Sequence, residues 1–227
     1  MTITDTIESK LEREQERVRR LYQYEDQFRA EGFKLIAGVD EVGRGSLVGS
    51  LIVSAVILPP DIFIDHLNDS KKLTARRREI LYYEIIDKAL AVSTVESTIE
   101  EIDRLNVYRA TLEAMLRAVR ALPIKPDFVL TDAMKLYFGE GIGSLSIVKG
   151  DAKSATIAAA SIIAKVTRDR MADEWNELYP QYDFKHNRGY GTQKHLDAIK
   201  KYGATPIHRR TYEPVKSMCS AQLAINF

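Results

Sequence analysis

The stretch Lys34–Gly45, KLIAGVDEVGRG, limits what this chain can fold into more than any other. Leu35-Ile36-Ala37 runs on through Val39, and a short apolar run bounded by glycine and charge reads as a buried strand. Asp40 and Glu41 follow at once, so two carboxylates sit where the chain leaves the core. Acids in a low dielectric are unfavourable unless something positive neutralises them. A hard divalent cation meets that need, because Mg²⁺ takes oxygen ligands from one or two carboxylates together with substrate phosphates. Gly43-Arg44-Gly45 comes next. Glycines let a backbone approach a ligand closely, successive N–H groups can form an anion-binding nest, and arginine offers phosphate a planar donor fork. Metal and phosphate in one place is the functional reading. A strand ending in a surface turn with solvated acids is the competing one, and a GxG alone does not choose between them.

With 227 residues, 45% of them hydrophobic, the chain can bury one sizeable core. Three regions are expected: an N-terminal amphipathic extension over 1–30, an α/β domain over 31–180, and a basic C-terminal region over 181–227. The single cysteine, Cys219, excludes a disulfide framework and a cysteine-rich zinc site. No apolar N-terminal leader and no apolar run of about 18 residues is present. A soluble cytoplasmic protein is therefore expected, and a monomer, since no self-complementary apolar face shows in the pattern. The net charge of +1 says little; its distribution says more. Between 184 and 216, Lys185, Arg188, Lys194, Lys200, Lys201, Arg209, Arg210 and Lys216 face only Asp197 and Glu213. Phe184, Tyr190, Tyr202 and Tyr212 lie among them, a mixture that suits a polyanionic nucleic acid.

Residues 5–30 carry loose helical spacing and predict one amphipathic helix. Strands are predicted at Lys34–Asp40, Leu47–Leu58, Ala91–Val95, Asp127–Thr131 and Ser144–Val148. The short glycine turn between the first two predicts an antiparallel pair. Thr74 can cap a helix carrying Ile80, Leu81, Ile85, Ile86 and Leu90, and Ile99–Leu122 reads as a single helix ending before Pro123. Ala155–Arg170 reads as a helix whose first part is apolar nearly all round, the mark of a helix buried in the core. It continues through Trp175 and Tyr179 to Pro180, and a last helix is predicted near Gln193–Tyr202. A meander of strands followed by alternating helices and strands predicts an α/β fold with a mixed five-stranded sheet.

Four carboxylates then fall at ends of core elements: Asp40 and Glu41 after the first strand, Asp132 after the fourth, Asp151 after the fifth. Strand ends on one edge of an open sheet are where α/β proteins place their sites. Each acid has a plainer reading as well. Asp151 is well placed to cap the buried helix, Asp132 to cap the DAMK turn. A regular strand would point Glu41 to the face opposite Asp40. Asp169 is a rival fourth acid, although Arg168 and Arg170 beside it suggest an ion-paired helix position. Acids without cysteines or a histidine pair favour Mg²⁺ or Mn²⁺ over zinc. Two such ions about 4 Å apart are a general device for in-line phosphodiester displacement.

The motifs GVDEVGRG, LTDAMKL, VKGDAKSATIAAASIIAKVTRDRM, NRGYGT and PIHRRTYEPV, in this order between Phe33 and Val215, resemble those of the bacterial ribonuclease HII (type 2 ribonuclease H) family. The resemblance implies a ribonuclease H-like fold, a five-stranded mixed sheet flanked by helices, with a helical C-terminal region. It implies metal-dependent endonucleolytic cleavage of RNA in RNA·DNA hybrids. It further implies cutting on the 5′ side of ribonucleotides embedded in duplex DNA, giving 3′-OH and 5′-phosphate ends, as in ribonucleotide excision repair. Asp40, Glu41, Asp132 and Asp151 match the family's four active-site acids, which hold two Mg²⁺ or Mn²⁺ ions. Gly43, Arg44 and Gly45 match its junction-reading loop, and Tyr190 the tyrosine that packs against the nucleotide at the RNA–DNA step. The 2′-OH is what separates RNA from DNA at one site. Phosphate contacts set position instead, and Ser70, Lys71, Lys72, Lys149 and Arg209 are candidates for them. Ser46 stands where many relatives carry proline, which implies a less rigid loop. Residues 1–30 match only loosely, and the C-terminal helical tail is brief.

Two readings of other classes compete. A non-catalytic hybrid-binding module would be expected to lose an acid, and none of the four is missing. A phosphotransferase would bind ATP, and no GxxxxGK[ST] motif is present. The tail Ala221–Phe227, AQLAINF, offers Gln222 and Phe227 as a faint sliding-clamp peptide; a frayed tail is the simpler reading.

Overall fold

A computed structural model describes residues 3–60 and 62–219, with side chains from residue 10 onward. The tail Ala221–Phe227, and the clamp-peptide expectation with it, lies outside the described residues. In chain order come α1 (Ile3–Leu21), α2 (Gln23–Ala30), β1 (Ile36–Val42), β2 (Leu51–Ile57), α3 (Ala75–Lys88) and β3 (Ala91–Ser97). Then follow α4 (Ile99–Leu105), α5 (Val107–Arg120), β4 (Phe128–Asp132), β5 (Gly143–Ile147), α6 (Ala155–Leu178), α7 (Phe184–Asn187) and α8 (Gln193–Tyr202). No described helix is long and apolar enough to cross a membrane.

The sheet runs β3-β2-β1-β4-β5. β1 pairs antiparallel with β2 and parallel with β4, and β4 pairs parallel with β5. This is the mixed five-stranded sheet that the strand pattern predicts. Its consequence for the site is direct. Because β1 and β4 run the same way, the acids at their C-terminal ends emerge side by side at one edge.

The two sheet faces are covered differently. One carries α5 through Ala114, Met115, Ala118 and Val119 against Ala37, Val39, Leu51, Val53 and Ala55. The other carries α6, whose Ala155, Ala158, Ala159, Ile162 and Ile163 join Val56, α3 and the N-terminal helices in a second cluster. α6 presses so closely on β1 that a Cβ added to Gly38 would lie 2.1 Å from the Thr156 carbonyl carbon. Only glycine permits that approach.

Several boundaries differ from the sequence expectation. The helix expected over Ile99–Leu122 breaks at Asn106, which takes a positive φ of 66°. Its side chain accepts from the amides of Tyr108 and Arg109, ending one helix and capping the next. The link between β1 and β2 is no tight glycine turn but an excursion over residues 43–50, so β2 starts at Leu51 rather than Leu47. On α3, Leu81 and Ile85 are buried while Ile80 and Ile86 face outward.

The N-terminal residues form two helices, not one, and both dock. Val18, Leu21 and Tyr22 are buried against α3 and α6, and Phe28 stacks on Phe128 with centroids 3.9 Å apart. Glu25 is fully buried. One of its oxygens accepts from the Ser154 and Thr156 hydroxyls and the Thr156 amide, at the N-terminus of α6. Burial raises its pKa, partly offset by those hydrogen bonds.

The α6–β1 contact yields a first prediction. Gly38→Ala should lower unfolding stability by about 3 kcal/mol, the upper end of ordinary overpacking, in urea denaturation. An unchanged midpoint would contradict the close approach.

Candidate active site

Three carboxylates meet at the sheet edge. Asp40 from β1, Asp132 from the end of β4 and Asp151 from the 3₁₀ turn Gly150–Ala152 each offer an oxygen, all within 4.8 Å of one another. Asp40 and Asp151 are buried and Asp132 is half-buried. The plainer roles open to them are taken by neighbours. Ser154, not Asp151, caps α6, its hydroxyl accepting from the Ile157 amide. Thr131 ties the DAMK turn by donating to the Met134 carbonyl. Asp132 is instead aimed by the Gly150 amide, which donates to its Oδ1 at 2.7 Å. That bond links the ends of β4 and β5 to the turn carrying Asp151.

Glu41 stays in the regular β1 ladder opposite Val53, and the cluster of three does not include it. It flanks the cluster. Its Oε1 lies 3.4 Å from Arg44 Nη1, while its Oε2 is buried with no hydrogen-bond partner. Asp169, the rival fourth acid, is committed elsewhere, to Lys165 at 2.6 Å and Arg78 at 3.4 Å.

The electrostatics match the geometry. Burial pushes Asp40 well above the usual carboxylate range, and the charges of Glu41 and Asp132 push it further. Burial also raises Glu41, with Arg44 opposing. Asp151 is raised by burial and by Asp69 and Asp132, with Lys71 opposing. The Lys71 ammonium, 3.4 Å from Asp151 Oδ2, is the one cation in ion-pair contact with the three acids among the described residues. Hard oxygen donors, mutual repulsion and an orphaned buried oxygen on Glu41 fit divalent ions of the Mg²⁺ or Mn²⁺ kind.

The Gly43–Gly45 loop lies beside the acids, and its conformation is built from beneath. Gly43 takes φ +98°, and a Cβ there would meet Arg168 Nε at 2.3 Å. Arg168, from α6, is fully buried. It donates to the carbonyls of Val48, Ser50 and Arg188. Arg209, also fully buried, donates to the carbonyls of Gly49 and Arg44. Tyr212 adds its hydroxyl to the Arg44 carbonyl. Ser46 is enclosed, and its hydroxyl donates to the Val48 carbonyl. Side-chain hydrogen bonds thus hold the loop where the family resemblance implied a looser one. Gly45 is open, and Tyr190 Cε1 lies 3.8 Å from where a Gly45 Cβ would be.

The other candidates separate into two groups. Lys71, Lys72 and Lys149 are exposed. Ser70 and Arg209 are buried. Ser70 shares a hydrogen bond of 2.8 Å with Ser161, whose hydroxyl in turn favours ionised Asp40. Sequence reasoning missed Ser161 and read Arg168 as an ion-pairing neighbour of Asp169, whereas Arg168 donates to backbone carbonyls and Asp169 pairs with Lys165, Arg78 and Arg188. Arg168 had a readable signal, since it recurs four residues after Ala164 on the apolar face of α6, where a charge needs a reason.

Comparison with known proteins decides the family. The ribonuclease HII family model matches residues 37–215. The chain belongs to the ribonuclease HII family. It is 50% identical over 207 residues to ribonuclease HII of Enterococcus faecalis, covering 91% of this chain and 80% of that one. It is 51% identical over 194 residues to that of Bacillus licheniformis, covering 86% and 75%. Among solved structures, ribonuclease H2 of Pyrococcus horikoshii superposes with a TM-score of 0.71 at 29% identity, covering 82% of this chain and 98% of that one. As a ribonuclease HII, the chain is a divalent-metal-dependent endonuclease that hydrolyses RNA in RNA·DNA hybrids.

The raised Asp40 pKa gives a prediction with a definite sign. A carboxylate whose folded pKa is raised is protonated longer in the fold than in the unfolded chain. Metal-free protein should therefore lose stability relative to Asp40→Asn as pH rises from near 3.8 through the folded pKa. At neutral pH in EDTA, Asp40→Asn should melt higher than the parent, and Mg²⁺ should narrow the gap. A lower melting temperature for Asp40→Asn in EDTA would contradict the repulsion.

Proposed function

We propose that this ribonuclease HII cuts on the 5′ side of ribonucleotides embedded in duplex DNA, leaving 3′-OH and 5′-phosphate ends. Asp40, Glu41, Asp132 and Asp151 form its catalytic, metal-holding set. The observation that carries this reading is the meeting of three carboxylate oxygens within 4.8 Å, directly beside a glycine loop backed by Tyr190. Divalent ions held by these acids would supply an activated water and charge neutralisation at the leaving 3′ oxygen.

The chain's own residues do the rest. Asp40 and Asp132 converge from adjacent parallel strands, so their spacing is set by backbone pairing rather than by flexible side chains. Glu41 approaches from the flank, and Arg44 beside it presents a donor fork towards a phosphate on the loop. The bare backbone at Gly45 leaves room for a ribose to come close, with the 2′-OH as the group that separates RNA from DNA. The half-exposed Tyr190 ring borders that space and suits stacking on the sugar or base at the junction. Lys71, Lys72 and Lys149 position the strand through its phosphates without reading sequence. Ser70 and Arg209, being enclosed, act through Ser161 and through the loop carbonyls rather than by touching phosphate.

The test is Asp132→Asn in the presence of Mg²⁺. Cleavage should fall by about a thousandfold or more, the several kcal/mol that metal-assisted charge stabilisation supplies. Hybrid binding by gel shift should persist. Turnover within about tenfold of the parent, a loss of only about 1.4 kcal/mol, would sink the catalytic assignment.

A further inference from the structure

Behind the GYG turn, two buried histidines form a hydrogen-bonded pair whose protonation is dictated from both ends. His195 Nε2 lies 3.1 Å from His208 Nε2. His208 Nδ1 is 2.9 Å from the Thr205 amide nitrogen and 2.8 Å from the Thr205 hydroxyl. His195 Nδ1 is 3.0 Å from the Tyr190 carbonyl oxygen. The pair is enclosed by the rings of Tyr182 and Phe184. Burial lowers the pKa of both histidines, and that of His208 to about 3.

These contacts leave one arrangement of protons. A backbone N–H only donates, so His208 Nδ1 carries a lone pair. The proton of that neutral ring is on Nε2, aimed at His195 Nε2, which must accept. The His195 proton is then on Nδ1 and is donated to the Tyr190 carbonyl. Extra protonation of His195 would set two N–H groups against each other at 3.1 Å.

The end of this relay matters because of what Tyr190 lacks. Tyr190 is 39% exposed, and no hydrogen bond or ion pair holds its hydroxyl among the described residues. The Arg168 guanidinium is 6.0 Å from its centroid. Its backbone sets where the ring stands. The Tyr190 amide donates to the Asn187 carbonyl, and its own carbonyl accepts from the Thr192 amide and from His195.

We propose that His195, held in its Nδ1–H tautomer by His208, is a positioning residue that fixes Tyr190 at the RNA–DNA junction and so sharpens discrimination between one embedded ribonucleotide and a uniform hybrid. This rests on the reading of Tyr190 as the residue that packs at the junction. His195 touches no substrate; it acts through the Tyr190 backbone.

Two isosteric swaps test it. The amide nitrogen of asparagine falls where Nδ1 stands, so His195→Asn keeps a donor for the Tyr190 carbonyl. The amide of glutamine falls where Nε2 stands, so His195→Gln loses that donor. The readout is the ratio of kcat/KM on a duplex with one ribonucleotide to that on a uniform hybrid. His195→Gln should lower the ratio about five- to tenfold, the size of one lost hydrogen bond, with His195→Asn within about twofold of the parent. Equal losses in both, or none in His195→Gln, would overturn the proposal. Tyr190→Ala separates the two layers of argument. If it leaves the ratio unchanged, the junction reading itself fails and the proposal with it. If it lowers the ratio while the two His195 swaps behave alike, only the positioning role fails. Imidazole ¹⁵N spectra of the unaltered protein need no variant to fold. They should show His208 protonated at Nε2 and His195 at Nδ1, and the opposite tautomers would overturn the proposal.

Discussion

Repulsion among desolvated carboxylates is the constraint on which the rest of this structure depends. Asp40, Asp132 and Asp151 are held within 4.8 Å of one another, an arrangement that like charges oppose and that burial makes worse. Left to side-chain freedom the acids would separate. The fold denies them that freedom. Asp40 and Asp132 ride on neighbouring parallel strands, Asp132 is pinned by the Gly150 amide, and Asp151 sits in the 3₁₀ turn that precedes α6. α6 is seated on β1 at Gly38 and fastened at its N-terminus by Ser154 and Glu25. The charge repulsion among these carboxylates favours a divalent cation between them.

A second layer of polar groups joins this centre to the C-terminal region. Two buried guanidiniums, of Arg168 and Arg209, make no ion pair within 4.0 Å of an acid among the described residues. Backbone carbonyls of the 43–50 loop and of Arg188 take most of their donors, while Arg209 Nη2 is buried with no hydrogen-bond partner. Uncompensated positive charge beneath a glycine loop favours an anion above it, the complement of the acid cluster alongside. One face of the site thus suits a metal ion and the other a phosphate. The aromatic cluster of Tyr182, Phe184, His195 and His208 closes the same region from behind.

Much of this was legible in the sequence, for stated physical reasons. Apolar runs ending in acids located β1 and β4, and the all-round apolar character of Ala155–Ile163 marked α6 as the core helix. The sheet composition followed from the order of strands and helices. Where reading failed, a tertiary partner decided the outcome. Asn106 breaks a run with unbroken helical spacing because its side chain caps better than it propagates. The 43–50 excursion owes its shape to arginines far along the chain. Glu25, a charge in a charged helix, is buried because the Thr156 amide and the Ser154 and Thr156 hydroxyls at the start of α6 need an acceptor. The paired histidines carry no local pattern; thirteen residues separate them, and only the fold brings their rings together.

The central claim is that one site joins a metal-binding acid cluster to a loop that reads a ribose within DNA. The most direct measurement is to incubate the protein with a DNA duplex carrying one ribonucleotide, in Mg²⁺ or in EDTA beside an all-DNA duplex, and map the products at nucleotide resolution. The account predicts a single cut on the 5′ side of the ribonucleotide, absent in EDTA and absent from the all-DNA duplex. Cleavage confined to long hybrids would contradict the junction reading, and cleavage that survives EDTA would contradict the metal site.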